Sequence, residues 1–241
     1  MVSRFIDRTL HRDFSLQGKY IKSFVYGGLD GIITTFAVVA GVAGANLSAA
    51  IVVILGFANL FADGFSMAVG DYLSSKSERE FQREQKKREL FEIESHPEVQ
   101  KQALIALYQS HGFNRKDAAL LTELVAKNKK AWASSVVDGD LGLAGSKTFP
   151  FRNSLITFFS FAFFGFIPLL AYVLARALPS VYKSSFVLAV ILTGVTLFVL
   201  GAVKVRITGK YWLTSGLETL LIGGIAAGAA YLIGAGLAGL A

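Results

Sequence analysis

Between residues 55 and 77 the chain reads LGFANLFADGFSMAVGDYLSSKS, which is apolar enough to cross a membrane yet holds Asp63, Met67 and Asp71 one helical turn apart. No breaker follows it. The next residues, SEREFQREQKKRELFEIES, carry more charge than a bilayer accepts. The helical pattern opens near residue 50 and persists to Ser95, where His96-Pro97 ends it, because proline lacks an amide proton and restricts the residue before it. About 45 residues at 1.5 Å each make a rod of roughly 67 Å, twice the hydrocarbon core. One continuous helix is therefore expected to leave the membrane and continue into water. Positions i, i+4 and i+8 lie close to one face, so Asp63, Met67 and Asp71 form a line of oxygen and sulfur ligands suited to a metal cation.

Four more stretches are long enough to span a ~30 Å core: about 21–45, 151–175, 184–203 and 214–241. The whole chain is 17% charged and 53% hydrophobic, whereas a soluble domain averages about 25% charged. Asp30 stands inside the first span, in YGGLDGII. An ionised carboxylate at that depth costs about 2.5–3.5 kcal/mol on insertion scales. It is expected to face a cation, water or a partner, with pairing to a lysine or a backbone amide as the structural alternative. Gly27, Gly31, Gly41 and Gly44 would let another helix approach closely. Pro168 is expected to kink the third span, and Gly223, Gly224 and Gly228 to make the fifth easily packed. Glu218, about one turn inside the fifth span, reads equally as a second intramembrane acid or as the partner of Lys204, Arg206 or Lys210.

Residues 76–150 read as a polar helical insert of three to four helices between spans two and three. PEVQKQALIALYQS has helical periodicity and ends before Gly112, a suitable residue to follow a helix. Asn114 with Asp117 three residues on resembles an N-cap opening RKDAALLTELVAKN, and KKAWASSVVDGDLG supplies a last helix. Trp132, Leu104, Leu120, Leu121 and Leu124 are its candidate core.

The fold class expected is an all-α membrane protein with five transmembrane helices, divided at 1–20, 21–75, 76–150 and 151–241. Residues 1–20 read as an amphipathic segment on the cytoplasmic membrane face or as a plain basic tail, with no signal-peptide core. The net charge is +7. The N-terminus, the polar insert and the KVRITGK turn share one face, so the positive-inside rule puts the insert in the cytoplasm. Local balance by Glu and Asp argues against nucleic acid as the partner. With no Cys and only three His, thiolate sites are excluded. A di-iron oxidase needs Glu-x-x-His pairs, and neither His96 nor His111 has a Glu three residues before it. No enzyme activity is expected.

The motifs YGGLDGIITTFAVVAG, GFANLFADGFSMAVGDYLSSKSE and FRNSLITFFSFAFFGFIPLL resemble those of the vacuolar iron transporter family, over nearly the whole chain. The resemblance implies a homodimer in the lipid bilayer, with the ion path between subunits. It also implies export of ferrous iron or manganese from the cytosol against protons, with the metal as substrate and no tightly bound cofactor. Asp30 and Met67 match the acid and the thioether that the family uses along its path. Asn59 stands where plant members have Glu, and we read Asp63, one turn later, as its substitute. Asp71 continues the same line.

In the insert, Glu89 and Glu92 match a glutamate pair and Asp140 a carboxylate of the family's metal-binding domain. Gln100 and Ala103 stand where Glu is common, and Val136 and Val137 where plant members have methionines. Half of that cage is missing. Hard divalent cations want several oxygen ligands, so Glu89 and Glu92 chelate only if Asp140, Gln100 or a dimer mate completes the shell. Otherwise they are solvated surface charges. The expected membrane is a prokaryotic inner membrane, with the vacuolar membrane as the alternative. The rival function is a non-transporting, membrane-anchored metal-binding or scaffold protein, which would bind metal without flux.

Overall fold

The computed structural model describes residues 14–140, 149–178, 183–209 and 211–240, and among these it forms eight α-helices and a 3-10 turn near the C-terminal end. For residues 14–19, 138, 140, 177 and 206–208 it describes the backbone alone. No strand occurs among the described residues. The helices are α1 (Phe14–Gly44), α2 (Ala49–Ser95), α3 (Pro97–Ser110), α4 (Arg115–Ala126), α5 (Lys129–Asp140), α6 (Pro150–Ala177), α7 (Ser185–Thr208) and α8 (Trp212–Leu237). Five of them, α1, α2, α6, α7 and α8, are long and apolar enough to cross a membrane. By contact the chain forms two compact units, Met1–Tyr72 with Phe149–Ala241, and Leu73–Thr148.

In the first unit α1 is the central element and packs against α6, α7 and α8. Its faces are divided by residue size. Gly27 and Gly31 lie against the α6 backbone at Thr157 and Phe161, so close that a Cβ on Gly27 would stand 2.6 Å from the Thr157 carbonyl oxygen. Ile32 faces α7, in a cluster with Leu197 and Leu200. Phe36, Val39 and Ala40 join Val52 of α2, Leu169 and Tyr172 of α6, Ala189 of α7 and Ala227 of α8 in the largest core cluster. Further along α1, Gly41 and Gly44 meet Gly234 and Tyr231 of α8 backbone to backbone. Without a hydrophobic drive between helices in lipid, such close approach gathers dispersion contacts that larger side chains would block.

Pro168 lies inside α6, which runs from Pro150 to Ala177, and is fully buried. Of the three fifth-span glycines only Gly223 is used within the chain, against Leu197, while Gly224 and Gly228 have open space around them. α1 begins at Phe14, so its helix extends N-terminally beyond residue 21. The reading of residues 1–13 lies outside the described residues.

The second unit comprises the far part of α2 with α3, α4 and α5. Its core is Ile93, Leu104, Trp132 and Ala133, edged by Leu90, Leu107, Tyr108, Val125 and Val136. α2 stops at Ser95 and Pro97 opens α3 at its first turn. Asn114 caps α4, its side chain accepting from the Asp117 amide at 2.9 Å, and Gly112 takes φ +97°, which a side chain would strain. Lys129 of α5 reaches Glu94 of α2 at 3.0 Å. Leu120 and Leu124 are not core residues: they are 63% and 55% exposed, because α4 turns Ala118 and Thr122 inward instead. Periodicity identified an apolar stripe there, but the smaller residues beside it are the ones that are buried.

Candidate functional site

Asn59, Asp63, Met67 and Asp71 follow each other at four-residue steps on α2, and all four are partly buried. Their neighbours Phe61, Phe65, Val69 and Leu73 are exposed. The polar line thus runs along the edge of the face that α2 turns toward the bundle, whose packing residues are Gly56 on Leu169 and Gly64 on Phe161. Small residues at 56 and 64 bring α2 onto α6, and that approach sets where the line sits.

Asp71 is held from two other helices. The Thr157 hydroxyl of α6 donates to its Oδ2 at 2.6 Å, and the Ser23 hydroxyl of α1 donates to the same oxygen at 3.4 Å. Continuing the antiparallel register set by Ser23 and Asp71, Asp63 stands level with Asp30 of α1, within reach of its charge. α1 and α2 run antiparallel, and both pairings fit a single register, with Ser23 opposite Asp71 and Asp30 opposite Asp63. The same register brings Met67 level with Tyr26 and Asn59 level with Thr34. The Thr34 hydroxyl donates to the Asp30 carbonyl oxygen one turn back, at 2.9 Å. The Asn59 side-chain nitrogen is buried with no hydrogen-bond partner among the described residues.

The structure therefore brings Asp30, Asp63, Met67 and Asp71 onto the facing parts of two antiparallel helices. Two facing acids repel unless a proton or a cation lies between them, and a thioether beside them adds softness that favours transition metals. Sequence reasoning missed Ser23 and Thr157. A signal existed: Asn153, Ser154, Thr157 and Ser160 are all buried on α6, a polar stripe in an otherwise phenylalanine-rich span.

The remaining candidates lie apart from this line. Glu218 of α8 faces Lys204 of α7 at 4.0 Å, while the Arg206 side chain and Lys210 lie outside the described residues. In the helical unit Glu89 and Gln100 are partly buried, and Glu92 is exposed and meets His96 Nδ1 at 3.4 Å. The Asp140 side chain lies outside the described residues. Among the described residues no three His, Asp or Glu side chains come together as a metal-holding group.

The VIT family model matches residues 21–235. A vacuolar iron transporter of Plasmodium berghei (strain Anka) is 38% identical over 226 residues, covering 91% of this chain and 83% of the relative. A vacuolar iron transporter of Plasmodium falciparum (isolate 3D7) is 38% identical over 220 residues, covering 89% of this chain and 81% of the relative. Vacuolar iron transporter 1 of Arabidopsis thaliana is 33% identical over 218 residues, covering 90% and 85%.

Proposed function

The chain belongs to the VIT family, and from that premise we propose that it is a secondary transporter carrying Fe²⁺, with Mn²⁺ as an alternative substrate, out of the cytosol in exchange for protons. The observation that carries this reading is the facing of Asp30 on α1 by the Asp63–Met67–Asp71 line on α2, inside helices of membrane-crossing length. The carboxylates supply negative charge that offsets dehydration of the ion. The thioether tilts the preference away from Mg²⁺ and Ca²⁺. Protonation of Asp30 or Asp63 from the far side removes that charge, weakens the site and releases the ion. In a homodimer with the path at the subunit seam, each position is doubled, which gives a soft divalent ion the ligand number a single chain lacks.

The helical unit is assigned to the cytoplasmic face, as the charge distribution supports. Glu89, Glu92, Gln100 and Asp140 act there as a weak collecting site. The relatives' names support the vacuolar membrane as the host membrane.

The test is Fe²⁺ uptake into proteoliposomes with and without an imposed proton gradient. Asp30→Ala and Met67→Ala are expected to lose most of the flux, and the wild-type rate to rise with the gradient. Wild-type flux in both variants removes the path assignment, and metal binding without any flux favours the scaffold reading. In the same assay Glu89→Gln with Glu92→Gln is expected to raise KM while leaving the maximal rate, since collection precedes translocation.

A further inference from the structure

At the N-terminal ends of α1 and α6 the membrane unit carries a groove of about 660 Å³, within the roughly 300–1,000 Å³ range of pockets that enclose a small organic ligand. Tyr20 and Phe24 form one wall, and Leu155, Ile156, Phe159 and Phe163 the other, with Arg152 also lining it. We propose that this groove binds one anionic phospholipid, an acyl chain lying along the phenylalanine wall and the phosphate on Arg152.

Three independent features converge on that chemistry. The walls are aliphatic and aromatic, and Phe159 and Phe163 are 64% and 66% exposed on a helix of membrane-crossing length, a surface suited to lipid tails. The Arg152 guanidinium rests 5.3 Å from the Phe149 ring centroid and has no carboxylate partner among the described residues. A cation at a lipid-lined mouth, lacking an acid from its own chain, is matched by a phosphate, which the planar guanidinium binds through two N–H groups.

The third feature is local charge. α1 and α6 run parallel, with Gly27 against Thr157 and Gly31 against Phe161. That register brings exposed Lys22 level with Arg152. The first turn of α6 has no side-chain cap, so the positive end of its dipole lies at the same end of the groove. Together these favour a net-negative headgroup over a zwitterionic one, whose choline would meet the same positive field.

The inference needs the membrane-spanning unit alone and is independent of which ion is carried. Its test is native mass spectrometry of the full chain in detergent, titrated with phosphatidylglycerol or phosphatidylcholine of matched acyl chains. Wild type is expected to retain phosphatidylglycerol about fivefold more strongly, the worth of one basic residue at an anionic lipid surface. Arg152→Gln is expected to abolish that preference, and Arg152→Lys to keep part of it. Leu155→Trp, which fills the groove, is expected to shed both lipids. Arg152 and Leu155 are exposed, so these variants leave the core intact. Equal retention of the two lipids by wild type, an unchanged preference in Arg152→Gln, or full lipid occupancy in Leu155→Trp would each overturn the proposal.

Discussion

The carboxylate of Asp71 accepts a hydrogen bond from the Thr157 hydroxyl at 2.6 Å, from a residue 86 positions away in sequence. A hydrogen bond to a charged group contributes about 1.5–3 kcal/mol. Thr157→Val keeps the shape and deletes the donor, so it is expected to lower the unfolding temperature in detergent and to slow flux. Thr157→Ser should restore both. An unchanged melting temperature in the valine variant would show that the hydroxyl holds nothing. In the helical unit, Lys101 bridges Glu98 and Glu123, each at 3.3 Å. Its ammonium is held above the usual lysine value of 10.5, first by the hydrogen bond to Glu98 and then by that to Glu123. The folded value exceeds the unfolded one, so this stabilisation is fully present below pH 10.5 and is lost as pH rises through the folded value. Comparing hydrogen exchange in α3 and α4 between wild type and Lys101→Met should show a protection gap that closes above that pH.

Helices meet in this protein where side chains are missing. A Cβ on Gly31 would collide with the Phe161 carbonyl, so Gly31→Ala is expected to cost about 1–3 kcal/mol by forcing α1 off α6. Gly228 has nothing near it, and there alanine is expected to be neutral or to stabilise by up to about 1 kcal/mol through lower unfolded-state freedom. Thermal melts of both variants check the pair, and equal destabilisation would contradict the packing. A run of glycines in a span signals close approach somewhere. It does not say which glycines are used, and Gly223 and Gly224 differ here although they are adjacent.

For the whole molecule, the proposed five-span topology puts the loop between α1 and α2 on the side of the bilayer opposite the helical unit. The chain has no Cys, so single cysteines report sidedness without background. Ser110→Cys, exposed in the helical unit, is expected to react with an impermeant maleimide only from the cytosolic face. Ser48→Cys, exposed between α1 and α2, should react only from the other. Labelling of both from one side would refute the topology that the basic residues imply.

Read alone, the residues were enough for the five long apolar helices, the break at His96-Pro97, the cap at Asn114 and the acid line on α2, because each depends on contacts within a few positions of itself. Hydropathy and helical period are local, and so is the cost of burying a charge. Which helix lies against which was decided by glycine-sized gaps meeting distant backbones, and so was the pairing of Asp71 with Thr157 and Ser23. The exposure of Leu120 and Leu124 was decided in the same way, by which face of α4 found a partner. Those contacts join residues tens of positions apart, and only the packed chain brings them together.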